Sequence, residues 1–360
     1  MSKFIPGMKL NQMYYEQIVK RILGDFFPGL PYSAGLIDYG SDVLGFDTPV
    51  SRDHQWGPRL SIFLSKKKYA KYSERISETL SEQLPYEFHG YPTNFSEKLS
   101  DGVQRLEKSK SGKVNHLIRI QTMEDFLQQH LGIDIIHGIS LKDWLFFPQQ
   151  RLATIRRGKI FHDDLGIAEL KKKLYYYPED IRLYLMASEW SKIASEEAFV
   201  GRCGDCGDGI GSGIIASRII QSIMNLCFLM EKEYAPYSKW FGTAFSKLKS
   251  SRAFMPIFER ILRARSWKGR EKNLSLAYEL LAKNHNDLNI TEPMHTKVIQ
   301  YYGREYLVIF AEKFSKKILG KITDAEIKNL KLTGSIDQIT NVTNILEYID
   351  VIKKLTKLYE

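Results

Sequence analysis

The stretch "YGSDVLGFDTPVSRDHQWGPRLSIFL", Tyr39 to Leu64, holds the residues best suited to phosphate chemistry. Gly40 lets the backbone turn sharply and approach a ligand closely, and Ser41 offers a hydroxyl and a backbone N–H to phosphate oxygens. Gly-Ser pairs are common in plain turns, so the pair gains meaning only from the polar residues downstream of it. Asp53 and Gln55 stand two apart ahead of a strand-like run, and on an extended segment that spacing turns both side chains to one face. Two carboxylates so placed would hold Mg2+, the hard cation that bridges nucleotide phosphates, but the second position carries the neutral amide of Gln55.

Helical and strand-like runs on either side set the geometry of these residues. "LNQMYYEQIVKRILGDFF" sets Met13, Ile18, Ile22 and Phe26 near helical spacing and ends before a Pro-Gly pair. Strand-like runs come at "AGLIDY", at "RLSIFL" with Leu60, Ile62 and Leu64 alternating, and at "VNHLIRI" with Val114, His116, Ile118 and Ile120 on one face. The helix "KKYAKYSERISETLSEQL" separates the last two. Beyond about residue 123 helical patterns dominate, as in "PEDIRLYLMASEWSKIASEEAF" and "KNLSLAYELLAKNHNDL". The expected fold class is α+β, with an α/β head over 1–140 and an all-helical C-terminal domain over 141–360.

Composition sets the outer limits. A chain of 360 residues with 43% hydrophobic and 12% aromatic content buries a large core and is neither disordered nor collagen-like. Lys and Arg number 52 against 42 acids, a net +10 that suits an anionic partner, nucleotide or nucleic acid, without choosing between them. Three cysteines, Cys203, Cys206 and Cys227, are too few and odd in number for a disulfide framework and point to a reducing, cytoplasmic setting. The N-terminus lacks a signal peptide's apolar segment. "GIIASRIIQSIMNLCFLM" carries Arg218 and falls short of the about 20 apolar residues of a membrane span, so it reads as a core helix and no membrane partner is expected.

Three segments, "GSDVLGFDTPVSRDHQWGPRLSIFL", "EEAFVGRCGDCGDGIGS" and "YAPYSKWFGTAF", resemble the bacterial family called domain of unknown function 4037, a branch of the nucleotidyltransferase-like (polymerase-beta-like) superfamily. The resemblance runs over most of the chain. It implies a nucleotidyltransferase-like head with a small mixed sheet, Gly40 and Ser41 cradling phosphate, and Asp53 as the first metal ligand and a catalytic residue that helps orient the nucleophile. The implied reaction moves a nucleoside monophosphate from an NTP, carried with Mg2+ or Mn2+, to an unidentified acceptor bound between head and helical domain. Glu196 and Glu197 fall where related transferases keep substrate-facing acids, and Glu197 is the expected catalytic partner of Asp53. Arg59, Arg202 and Lys239 are the expected cations for the triphosphate.

Two departures from the superfamily pattern matter. Gln55 replaces the second carboxylate and is left as the expected second metal contact, and Arg119 in "HLIRIQT" meets the position of a third acid. They motivate a second reading, a catalytically impaired nucleotide- or RNA-binding regulatory module, and a third, an interaction scaffold. Nucleic acid is the less favoured partner, since "SKKKY" and "KSKSGK" lack interleaved stacking aromatics.

Other constellations read as structure. "RCGDCGDGIGSG" has a Cys-x-x-Cys without two further zinc ligands, and its glycine run comes after a helix, so a tight interhelical loop with Asp205 and Asp208 capping the next helix is expected. His162, Asp163 and Asp164 in "KIFHDDLG" read as helix initiation, Asp47 as a turn or cap, and His54 as a candidate base beside Asp53.

Overall fold

The computed structural model describes residues 4–52, 55–99, 102–133 and 138–359. The chain forms two units, one made of 1–138 with 151–175 and the other of 139–150 with 176–360.

The first unit is built on a four-stranded mixed sheet of β1 (Ser33–Leu36), β2 (Arg59–Phe63), β5 (Leu117–Gln121) and β6 (Lys159–Asp163), in the order β5-β2-β1-β6. A small hairpin of β3 (Glu87–Phe88) and β4 (Tyr91–Pro92) lies between β2 and β5 in the chain. β1 runs antiparallel to β2 and β6, and β2 runs parallel to β5. A parallel pair needs a crossover, and the eighteen-residue helix between them, Lys66–Gln83, supplies one, with the Ser65 hydroxyl accepting the Lys68 N–H to cap its start.

Helix α1 (Gly7–Tyr14) runs through a π-helical turn, Tyr15–Val19, into α2 (Lys20–Phe26). The wide turn shifts the helical phase, so the buried face is Leu10, Tyr14, Tyr15, Val19, Ile22 and Leu23, and Phe26 is exposed. This differs from the sequence expectation, which assumed an unbroken 3.6-residue period. That face joins Ala34, Leu60, Ile62 and Ile118 in one core, so one side of the sheet is sealed.

α3 (Ser41–Leu44) comes after β1, and α4 is the crossover helix Lys66–Gln83. α5 (Met123–Leu131), α6 (Gln149–Arg157) and α7 (Ile167–Lys173) come next, and Phe126 of α5 packs edge-on against Phe63 of β2. Strand β6 was not expected, because "KIFHDDLG" reads locally as a helix start. Pairing with β1 overrides that preference, and the two backbones close so tightly that a Cβ on Gly35 would sit 2.5 Å from the Lys159 carbonyl.

In the second unit α8 (Glu179–Glu196) is buried almost all round, through Ile181, Tyr184, Leu185, Met186, Trp190 and Ile193. A helix buried on nearly every side is central to its unit, and here Arg182, Ser188 and Glu189 are buried along with the apolar residues. Trp190 stacks on Phe314 at 4.3 Å. α9 (Phe199–Asp205), α10 (Gly209–Met230), α11 (Ser238–Phe245), α12 (Ser251–Arg263), α13 (Trp267–Asp287) and α14 (Ala311–Leu319) complete its main helices. α10 is long and apolar enough to cross a membrane, and 56% of its apolar window is buried within the fold, as in a core helix. The unit is not wholly helical: β7 (Ile299–Tyr301) and β8 (Arg304–Val308) form a hairpin whose turn, Tyr302 and Gly303, has φ of 49° and 75°. Two left-handed residues in a two-residue turn match the twist of the strands they join, which the helical periodicity around them conceals.

Candidate functional site

Strand β1 ends at Leu36 and the chain then runs Ile37, Asp38, Tyr39, Gly40, Ser41 into α3. Gly40 has φ 121°, and a Cβ there would stand 2.2 Å from Asp42 Oδ1 and 2.5 Å from Arg59 Nη2. Only glycine fits this turn. Ser41, half-buried, opens α3.

Under the turn Asp42 and Arg59 form a buried pair, Nη2 donating to Oδ1 at 2.8 Å, and Nη2 also donates to the Tyr39 carbonyl at 2.6 Å. Burial pushes the Asp42 carboxyl upward and Arg59 pulls it back. Among the described residues Asp42 Oδ2 and Arg59 Nε have no hydrogen-bond partner. Arg59, expected to meet a triphosphate, is instead committed to holding the turn: its guanidinium is buried, and its backbone N–H donates to Asn11 Oδ1 at 2.5 Å.

A second cluster stands beside the first. Asp38 is buried; its Oδ2 accepts Arg119 Nη1 and its Oδ1 lies 2.7 Å from His130 Nε2. The other ring nitrogen of His130 faces the Phe126 carbonyl at 3.1 Å, and the ring stacks on Phe126 at 4.1 Å. Burial works to raise Asp38, but the bond and charge of His130 and the charges of Arg119 and Arg59 outweigh it, so its carboxylate is held below the ordinary range. Tyr39 joins the two clusters, its ring 4.8 Å from the Arg59 guanidinium and 4.7 Å from that of Arg119. Arg59 is sealed, whereas the Arg119 side chain is 41% exposed.

The loop after α3 departs from the extended segment expected. Gln55 is left-handed, φ 50°, in a bend before β2, and its N–H donates to the Gln104 carbonyl at 3.1 Å. Asp53 and His54 lie outside the described residues. Asp47 does cap: its Oδ2 accepts the Gly7 N–H at 2.7 Å, at the start of α1, and the Trp56 indole N–H at 3.1 Å. Among the described residues no group of three or more His, Cys, Asp or Glu could hold a metal. With a neutral amide at Gln55 and a cation at Arg119, the described donor set does not fit a resident metal held by paired carboxylates.

The remaining expected residues belong to the second unit. Glu197 is buried, its Oε2 accepting the Ile309 N–H at 2.9 Å and its Oε1 the Ala311 N–H at 3.1 Å, so it ties the β8 exit to the first turn of α14. Burial pushes its carboxyl up to about 7 against those backbone donors. Glu196 pairs with Arg218 at 2.6 Å. Arg202 lies over Phe199 at 5.5 Å and Lys239 over Trp240 at 5.3 Å. Cys203, Cys206 and Cys227 are free thiols. Asp208 caps α10 through the Gly211 N–H at 2.7 Å, whereas Asp205 accepts the Tyr306 hydroxyl. Asp163 caps α7 through the Ile167 and Ala168 N–H groups, and His162 pairs with Asp164 at 2.9 Å.

Within the first unit the fold therefore brings Gly40, Ser41 and Arg59 together with Asp38, Asp42 and His130, with Arg59 turned to a structural role. Asp38 was open to view, two residues ahead of Gly40. His130 gave no local signal, being 92 residues from its partner.

Residues 144–241 match the family model described as Domain of unknown function (DUF4037), a span that holds Glu197, Arg202 and Lys239. A solved nucleotidyltransferase-like protein from Exiguobacterium sibiricum 255-15 aligns over 87% of this chain and 91% of its own, at 11% identity and a TM-score of 0.33. No curated protein matches the sequence.

Proposed function

We propose that the first unit binds the phosphate tail of a nucleotide, with Arg119 supplying positive charge where nucleotidyltransferase chemistry keeps a carboxylate. The observation that carries this reading is Arg119 itself, anchored by buried Asp38, laid over Tyr39 and still 41% exposed. A guanidinium has five donors in a rigid fork, and Asp38 accepts one of them from Nη1. Fixing the fork beforehand reduces the ordering that phosphate binding would otherwise require. Gly40 and Ser41 offer a close backbone approach and a hydroxyl on the neighbouring turn.

Calorimetric titration with ATP, GTP, CTP and UTP in the presence of a chelator tests the reading. The expected result is metal-independent binding, weakened roughly tenfold or more in Arg119→Ala. Failure of all four to bind, or binding that needs added Mg2+ and ignores Arg119→Ala, overturns it; the former outcome favours a protein-binding scaffold.

Transfer of a nucleoside monophosphate is the second reading, favoured by the Gly-Ser turn and an acid at Asp53. Mg2+ or Mn2+ would then arrive on the triphosphate, held by Asp53. Label from an NTP appearing on an acceptor, and lost in Asp53→Ala, supports it.

A further inference from the structure

The second unit carries an apolar groove that the phosphate chemistry does not use. It has a volume of about 590 Å3 and lies between the N-terminal turns of α10 and the α12–α13 pair. Ile210 and Ile214, one turn apart on α10, face it with 80% and 56% of their surface exposed, and Leu262 of α12 stands in it at 63%. Gly213 leaves the backbone between the two isoleucines open to close approach, its nearest neighbours for an added Cβ being Arg270 atoms at 3.7 Å and beyond. Three exposed aliphatic side chains converging on one concavity are unusual for a surface with no occupant.

Charge says what would cover it. Among the described residues Arg218 and Arg270 line the groove and no acid does, but Arg218 is engaged by Glu196 at 2.6 Å, which leaves Arg270 as the cation offered to the groove. Residues 251–272 around it hold seven Lys and Arg against two acids, a net +5 out of the chain's +10. One of those acids, Glu271, is buried against the Leu307 N–H, and the other, Glu259, lies 3.5 Å from Arg263. Lys268 of that stretch pairs with Glu305 at 3.0 Å, so the surface seen by an approaching molecule is apolar at the floor, with Arg270 as the cation at its edge.

We propose that this groove docks an acidic amphipathic helix of a partner protein, its aliphatic side chains on Ile210, Ile214 and Leu262 and a carboxylate on Arg270. A helix about 10 Å across lies along such a groove, whereas a bilayer cannot enter a concavity and single-stranded RNA needs aromatic platforms that these aliphatics do not provide. A second copy of the same chain would bring like charge to like.

The test pans a displayed library of random peptides about 18 residues long, five turns of helix, against the full chain. Enriched peptides are then titrated by fluorescence anisotropy at low and high salt against the wild-type chain, Ile214→Asp and Arg270→Glu. A single-stranded RNA oligonucleotide and phosphatidylserine vesicles serve as rival probes. Enrichment of sequences with aliphatics at i, i+3 or i+4 and i+7 flanked by acids, bound about tenfold more weakly by each variant and at high salt, supports the proposal. No enrichment, peptides that bind both variants like the wild type, or groove-sensitive binding of RNA or vesicles in their stead overturns it. Ile214 is exposed, so its variant should melt like the wild type; should Arg270→Glu unfold through loss of its bond to Ser212, Leu262→Asp takes its place.

Discussion

Asp38 in the first unit and Glu197 in the second are both buried carboxyls with two anchored oxygens, yet they sit on opposite sides of their ordinary values. Asp38 is bound by a guanidinium and an imidazole and is held low; Glu197 is bound by backbone N–H groups alone and is pushed up to about 7. Both lose hydration, and both receive good hydrogen bonds. The difference is formal charge: a cation in contact offsets desolvation of an anion, while peptide dipoles in these positions do so only in part. The contrast separates a carboxylate kept charged by adjacent cations from a structural tie that remains protonated up to near neutral pH.

The contrast breaks most sharply at Asp38. Asp38→Ala leaves the inner side of Arg119 without its counter-ion and buried His130 without its hydrogen-bond partner, and is expected to destabilise the first unit by about 4 kcal/mol, read by denaturant unfolding with hydrogen exchange on α5. Asp38→Asn, which keeps the shape, should recover part of that loss. Recovery of full stability would mean that charge is not what holds the cluster.

A pH series sharpens the same contrast. Glu197 titrates near 4.5 unfolded and about 7 folded, so between those values the unfolded chain loses its proton first and stability falls as pH rises, by roughly 3 kcal/mol, before levelling. Asp38 acts in the reverse direction: its folded value lies below its unfolded one, and its contribution is lost as pH falls below the ordinary carboxylate range. Glu197→Gln should flatten the decline between about 4.5 and 7 in exchange protection of α14. An unchanged slope would show that Glu197 is already ionised in the folded protein.

Gly40→Ala tests how closely the turn and the buried pair are fitted. The methyl group would meet Asp42 and Arg59 at a backbone angle that alanine avoids, so a loss of about 2 kcal/mol and of nucleotide binding is expected together. The smallest effect belongs to Asp47→Ala, about 1 kcal/mol for a helix cap that also holds the Trp56 indole, visible as earlier melting with nucleotide binding retained.

Much of the scaffold was legible because it rests on local patterns. The alternation in β2, the apolar residues of α8 and the capping acids Asp163 and Asp208 act largely through chemistry written close to them in the chain, and periodicity or cap preference reveals them, whereas Asp47 caps a helix start 40 residues away. Where a local pattern met a stronger distant partner, the expectation failed. The β6 strand was hidden by helix-start residues until β1 paired with it, and Glu197, read as a substrate-facing acid, turned inward to bind the backbone of a segment more than a hundred residues away.

By itself the sequence determined the α+β class, a basic balance of +10, a Gly-Ser pair able to turn sharply, and the presence of Gln55 two residues after Asp53. Tertiary structure alone decided that Arg59 is sealed and Arg119 is open, because the two differ in what lies over them rather than in their own chemistry. It also decided which carboxyl keeps its charge. Ionisation inside a protein depends on the cations that folding carries to within about 3 Å, and no spacing along the chain records that distance.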